Sequence, residues 1–189
     1  MSDLPSSGGF SARKAKQRGA KLDPDFCKFI EVTIPKDSFV VDLGCGAYGA
    51  YVQWMLEEGW VEVYGIDASP NSEVLSNGCA VTGDITSPNI QQETFRYNPN
   101  WIIFSEVGEH IPDKLSHRLF ANLACAKEGV LLSWATPGQR GHNHINCRTP
   151  EWVAYRMGAV GFQLDEEKTL ELRAMTSKGW KRKVLVFKR

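Results

Sequence analysis

The sequence predicts an α/β protein, a mostly parallel sheet with helices on both faces. Two observations carry the parallel part. Short apolar runs alternate with segments of helical periodicity. The runs are too uniformly apolar for a half-solvated sheet, so both of their faces need cover. A third observation qualifies the picture. The last two strand-like runs, around Thr169–Met175 and Lys183–Phe187, are joined through Ser177-Lys178-Gly179. That leaves no room for a crossover helix, and an antiparallel hairpin at a sheet edge is expected.

The elements follow in order. Ser38–Leu43 reads as a buried strand that ends in glycines. Tyr48, Tyr51, Val52, Met55 and Leu56 then lie on one face of a helix, which Gly59 is placed to end. Val61–Ile66, Cys79–Thr82 and Trp101–Phe104 read as three more strands. Pro112–Lys127 reads as a helix, with Leu115, Leu119 and Leu123 recurring every four residues and Gly129 capping the end. Val130–Trp134 is a fifth strand. Thr149-Pro150-Glu151 starts another helix, with a hydroxyl cap, proline in the first turn and an acid at the positive end of the dipole.

Composition narrows the class. A chain of 189 residues is one domain with a real core, and 42% hydrophobic and 23% charged residues exclude general disorder. Lys plus Arg and Asp plus Glu are both 22, so global attraction to nucleic acid or an acidic membrane is not expected. No stretch approaches the roughly 20 apolar residues of a membrane span, and the start has no signal-peptide run. Five cysteines without a C-x-x-C pair argue against a disulfide framework and for a reducing, cytoplasmic setting. Charge is uneven locally. Arg13, Lys14, Lys16, Arg18 and Lys21 face one acid, Asp3, so residues 1–22 are expected to form a flexible basic arm and 23–189 the single domain. Seven bases and no acid run from Arg173 to Arg189. Such a run is either a guarded edge strand or a rim that guides an anionic substrate.

Chemistry concentrates first in Val40-Val-Asp42-Leu-Gly44-Cys45-Gly46-Ala-Tyr-Gly49, where a strand feeds a helix. Glycines there let the backbone turn and a ligand approach closely. The spacing fits a dinucleotide fingerprint, but Asp42 would repel a pyrophosphate and attract an ammonium group. Asp67 ends the next strand, 25 residues after Asp42, where an acid can accept both hydroxyls of a ribose.

With these motifs the chain resembles the class I S-adenosylmethionine-dependent methyltransferases over about residues 38–189. The carriers are Val41-Asp42-Leu43-Gly44-Cys45-Gly46, Tyr64-Gly65-Ile66-Asp67, Gly83-Asp84-Ile85 and Phe104-Ser105-Glu106-Val107-Gly108-Glu109-His110-Ile111-Pro112. The resemblance implies a Rossmann-like, seven-stranded sheet with an antiparallel C-terminal edge hairpin. It implies that Asp42, Gly44, Cys45 and Gly46 hold the methionine part of S-adenosyl-L-methionine, and that Asp67 and Ala68 meet the ribose. Asp84 and Ile85 would meet the adenine, and Ser105 and Glu106 would face the reacting end. Cys45 can also be read as a nucleophile, but a cofactor loop needs a small side chain there for packing alone.

Glu106, Glu109 and His110 could converge at the mouth of the fourth strand, with His142 and His144 arriving in the glycine-flanked loop 137–147. The E-x-x-E-H pattern with a later His resembles that of small-RNA 3′-terminal 2′-O-methyltransferases and ubiquinone-pathway O-methyltransferases. That resemblance implies a divalent metal ion held by Glu106, Glu109, His110 and His144. The bland alternative is that Glu-His-Ile-Pro merely begins the next helix. His110 and His144, with Glu109, are the candidate catalytic groups, a neutral imidazole being a natural base near neutral pH. Loop 137–147 reads as a substrate lid, while His117 reads as a solvated helix residue. Trp54, Trp60 and Trp152 are candidates for stacking on a substrate.

The expected reaction is methyl transfer to an oxygen or nitrogen of a small molecule or saccharide. The alternatives are metal-dependent 2′-O-methylation of an RNA terminus, which the basic stretches favour, and a non-catalytic methyltransferase-like binding subunit. A nicotinamide oxidoreductase would have to hold its pyrophosphate beside Asp42. The sequence gives no oligomeric state.

Overall fold

A computed structural model describes residues 22–88, 90, 98–176, 179 and 183–189. Apart from Leu22, the expected basic arm lies outside these residues, as do Ser177 and Lys178 of the expected hairpin turn.

Helix α1 (Pro24–Thr33) opens the described chain. Asp23 caps it by accepting from Asp25 N at 2.9 Å. Strand β1 (Phe39–Leu43) leads through the glycine loop into α2 (Ala50–Glu57), then β2 (Glu62–Asp67), a short α3 (Ser72–Leu75) and β3 (Ala80–Thr82). After β4 (Trp101–Ser105) come two 3₁₀ turns, at Gly108–His110 and Asp113–Leu115, and then α4 (Ser116–Leu123). Strand β5 (Gly129–Ser133), helix α5 (Pro150–Ala159), strand β6 (Gln163–Leu164), helix α6 (Glu166–Ala174) and strand β7 (Val184–Lys188) complete the order.

One seven-stranded sheet runs β3-β2-β1-β4-β5-β7-β6. Strands β1 to β5 pair in parallel, with Asp42 opposite Gly65 and Ser105 opposite Ser133. Strand β7 lies antiparallel between β5 and β6, with Ser133 opposite Val184 and Leu164 opposite Phe187. Each face of the sheet buries its own core. Val40, Val63, Ile103, Leu131 and Val186 meet α1, α2 and α6 through Phe26, Ile30, Val52, Met55 and Leu172. Val41, Ile102, Phe104, Val130 and Leu132 meet α4 and α5 through Leu119, Phe120, Val153 and Met157. The expected α/β class, mostly parallel sheet and antiparallel end are therefore present.

Three expectations need correction. Thr169–Met175 is helix α6, not a strand. Asp165 caps it by accepting from Lys168 N at 2.9 Å, Lys168 bridges Glu171 one turn on, and Thr169 and Leu172 form the buried face. The antiparallel partners of β7 are consequently β5 and the two-residue β6, so β7 is internal and β6 is the edge. The helix expected over Pro112–Lys127 is split. A 3₁₀ turn takes its start, α4 stops at Leu123, and Gly129 is the first residue of β5. A Cβ on Gly129 would lie 2.5 Å from the Trp101 ring, so close packing rather than capping requires glycine there.

Candidate active site

The tips of β1, β2, β4 and β5 point to one end of the sheet, where ligands bind in open α/β folds. The β1–β2 half of that end is built by the glycine loop. Ile66 O accepts from Gly44 N at 2.7 Å and from Cys45 N at 3.2 Å, which folds the loop back over β2. Gly44 has φ +86°, and a Cβ there would strike the Val107 side chain at 2.4 Å. Gly46, at φ +72°, has open space where its Cβ would be. The loop thus turns its bare backbone to solvent.

Asp67 organises the same half. Its Oδ2 accepts from Gly46 N at 2.9 Å and its Oδ1 from Ser69 N at 2.8 Å, with half-buried Ala68 between them in sequence. Asp42 stands behind, 2% exposed, and its Oδ2 accepts no hydrogen bond. Burial, reinforced by the negative charge of Asp67, pushes the Asp42 carboxyl up to about 8. A buried carboxyl without a partner is a place where a cation of the right size gains most. Cys45 packs against Gly65, whose Cβ would lie 2.6 Å from its Sγ. Burial and the nearby Asp42 and Asp67 charges hold its thiol well above the usual range, so it is not an activated nucleophile. Asp84 turns the chain after β3 by accepting from Thr86 N at 2.9 Å, and Ile85 is buried below it.

The β4–β5 half is built differently. After Ser105, Glu106 takes a left-handed φ of 56°. Its N–H donates to Ser133 Oγ at 2.9 Å, Ser133 Oγ donates to its Oε1 at 2.8 Å, and Lys183 Nζ is paired to its Oε2. The 3₁₀ turn that follows carries Glu109 inward, to 0% exposure. Both of its carboxylate oxygens are buried without a hydrogen bond of ordinary geometry. Burial and then the Glu106 charge push Glu109 up to about 7, while Lys183 and nearby backbone N–H groups temper the rise.

Loop 137–147 supplies His144, whose Nε2 lies 3.9 Å from Glu109 Oε1, too far for a hydrogen bond. The His110 and His144 rings meet edge to face with centroids 5.1 Å apart. Ligand atoms of Glu109, His110 and His144 all lie within 4.8 Å of one another. That set brings together three of the four expected metal residues. Glu106 stands outside it, occupied by Lys183.

The C-terminal end of the loop is fastened down. Ile145 N and Asn146 N both donate to Glu109 O, at 2.9 and 3.0 Å. Asn146 Nδ2 donates to Ile111 O at 3.0 Å, and Asn146 O accepts from Trp134 Nε1 at 2.7 Å. Arg148 reaches Asp113 at 2.6 Å and stacks on Trp152. Trp152 in turn packs edge-on against Phe120 and Trp134, and Trp60 is buried against Trp54, so these rings serve packing. His142 and His117 are exposed. Lys183 and Asn146 are the residues of this half that local motifs did not announce. Only the antiparallel placement of β7 and the docking of the loop bring them in.

The methyltransferase-domain family matches residues 15–173. The chain belongs to that family. It is a class I S-adenosylmethionine-dependent methyltransferase. No curated protein sequence matches it. Solved structures share the fold. Magnesium protoporphyrin IX methyltransferase ChlM from Synechocystis PCC 6803, with bound S-adenosylhomocysteine, is 17% identical over 94% of this chain and 84% of that one, at a TM-score of 0.65. A TehB-like S-adenosylmethionine-dependent methyltransferase from Corynebacterium glutamicum is 18% identical over 94% and 95%, at 0.67. The (4+2)-cyclase SpnF is 13% identical over 98% and 85%, at 0.61. A cyclase on this scaffold shows that the methyltransferase fold alone does not fix the reaction. Among the described residues no helix is long and apolar enough to cross a membrane.

Proposed function

We propose that this methyltransferase transfers the methyl group of S-adenosylmethionine to an oxygen or nitrogen of a small-molecule or saccharide acceptor bound at Glu109, His110 and His144. The observation that carries this reading is the buried Glu109 carboxylate, without an ordinary hydrogen bond from the described residues, grouped with two imidazoles. In this reading Asp42 receives the ammonium group of the cofactor, and Gly44, Cys45 and Gly46 cradle its methionine part. Asp67, with Ala68, takes the ribose hydroxyls. Asp84 accepts from the adenine amine, Ile85 supports the ring, and Ser105 and Glu106 border the reacting end.

Transfer is an in-line displacement. The acceptor atom forms a bond to the methyl carbon, the carbon–sulfur bond breaks, and its electron pair returns to sulfur. The protein's main work is alignment, and the proton of the acceptor must also leave. Glu109, held near neutrality by burial, is the group placed to take that proton, with His144 beside it and His110 against His144.

The donor set also fits a divalent ion, because a dication would satisfy the carboxylate oxygens left without partners. Glu109, His110 and His144 would hold it. When bound, such an ion lowers the pKa of an acceptor hydroxyl. The five free cysteines support a reducing, cytoplasmic setting.

Methyl transfer from labelled S-adenosylmethionine to panels of hydroxylated and amino small molecules, saccharides and short RNAs, with and without chelator, tests the reading. Transfer to a small molecule or saccharide supports it. Transfer to RNA ends alone, weakening steeply with salt, would assign the RNA-terminal activity instead. Tight cofactor binding with no transfer to any class would point to a binding subunit.

A further inference from the structure

The E-x-x-E-H resemblance implies four protein ligands, and only three of those side chains assemble. We infer that Lys183 reserves Glu106, so that the divalent-ion site is a three-donor site of one carboxylate and two imidazoles. The inference rests on the reading of Glu109, His110 and His144 as an ion site and concerns Lys183, which no motif assigned.

Three observations support it. Glu106 is fully engaged: Lys183 Nζ pairs with Oε2, Ser133 Oγ donates to Oε1, and the Glu106 N–H returns to Ser133 Oγ. Lys183 is itself only 9% exposed, so its contact with Glu106 is held within the fold rather than by a mobile surface side chain. Finally, among the described residues the ligand atoms that lie within 4.8 Å of one another are those of Glu109, His110 and His144, and Glu106 is not in that set.

The consequence is selectivity. Two nitrogen donors and one carboxylate suit Zn²⁺, Fe²⁺ or Mn²⁺, whereas Mg²⁺ favours oxygen donors. Three protein ligands also leave coordination positions for an acceptor. A second carboxylate would shift the site toward hard cations. Lys183 therefore acts as a specificity-determining residue for the ion, through Glu106 and without touching the ion itself.

Competition of Zn²⁺, Mn²⁺ and Mg²⁺ against a chromophoric chelator tests this on the whole chain, with near-ultraviolet dichroism reporting the fold. Glu106→Gln should leave Zn²⁺ affinity within about twofold, and Glu109→Gln should weaken it at least about tenfold. Lys183→Met should free Glu106, tighten binding about tenfold and raise Mg²⁺ affinity most. The double variant Lys183→Met with Glu106→Gln should return to the parent value. Should Lys183→Met not fold, the Glu106→Gln result decides alone, since that variant keeps the lysine. Loss of Zn²⁺ affinity in Glu106→Gln equal to that in Glu109→Gln would overturn the inference and keep the ion site. Unchanged or weaker binding in a folded Lys183→Met would overturn it too. Absence of ion binding by every variant, while the parent chain binds S-adenosylhomocysteine, would overturn both the inference and the ion site and leave the cofactor reading standing.

Discussion

Each half of the ligand-binding end hides a carboxyl group with an oxygen that accepts no hydrogen bond of ordinary geometry from the described residues, and the two are left open in different ways. Asp42 faces a glycine loop whose backbone leaves empty space above Gly46, and its one charged neighbour is another acid, Asp67. Glu109 faces two imidazoles and lies under a loop bonded to its own backbone carbonyl. The first half is built from one local stretch of chain and waits for a cation to arrive from outside. The second is assembled from β4, β5, the loop after β5 and the start of β7, and carries its own counter-groups. Exchangeable cofactor chemistry suits the former, and positioned acceptor chemistry suits the latter.

Substitutions that separate the halves should have opposite readouts. The largest effect is expected for Glu109→Gln, a loss of about 10²- to 10⁴-fold in turnover with S-adenosylhomocysteine affinity unchanged in calorimetry. Loss of cofactor binding instead would dissolve the division between the halves. Asp67→Ala should weaken cofactor binding by about 100-fold, since two charge-assisted hydrogen bonds are lost, while Zn²⁺ affinity stays the same. Asn146→Ala leaves Ile111 O and Ser116 Oγ without their donor and should cost about 1–3 kcal/mol in denaturant unfolding. Hydrogen exchange at the Ile145 and Asn146 amides should quicken in that variant before exchange in β1 does.

The smallest expected change in affinity, about tenfold weaker for the cofactor, belongs to Asp42→Asn. Its stability effect runs the other way. The folded Asp42 carboxyl holds its proton up to about pH 8, whereas an unfolded one releases it near its ordinary value of 3.8. The folded state therefore binds the extra proton between those values. Stability is fully present below the lower value, declines as pH rises, and levels off above about 8. Asp42→Asn should remove the Asp42 share of that decline, leaving the share of Glu109 below about pH 7, and raise Tm at pH 8, measured by thermal melting with and without S-adenosylhomocysteine. A parent protein whose Tm is flat from pH 5 to about 8 would contradict the burial of a protonated Asp42.

The same contrast governs what could be read from the chain. Asp42, Gly44, Gly46 and Asp67 were legible because strand, loop and acid follow one another within a single βαβ unit, where local order dictates spatial order. Glu109 and His144 were nameable as donors, but their approach depends on a loop docked by Asn146 and Arg148. The Glu106–Lys183 pair was not legible at all, since it joins residues 77 apart in the chain. Helix α6 reads as a strand in the sequence because the alternation in Thr-Leu-Glu-Leu-Arg mimics one. Its Asp165 cap and acidic first turn were the stronger signal. Helix α1 carries a comparable mark, Asp23 followed by Pro24 and Asp25.

The insertion of β7 between β5 and β6 also bears on how the molecule is made. Strands β2 to β5 can each find a neighbour already synthesised, though β4 joins β1 rather than β3. Gln163–Leu164 leave the ribosome before Val184–Lys188, yet among the described residues they pair only with β7. Until those later residues arrive, β5 presents an open edge and the newborn chain carries an exposed template for pairing with other chains. The strand that delivers Lys183 to the active end thereby also ends the period in which the nascent protein is most exposed to aggregation.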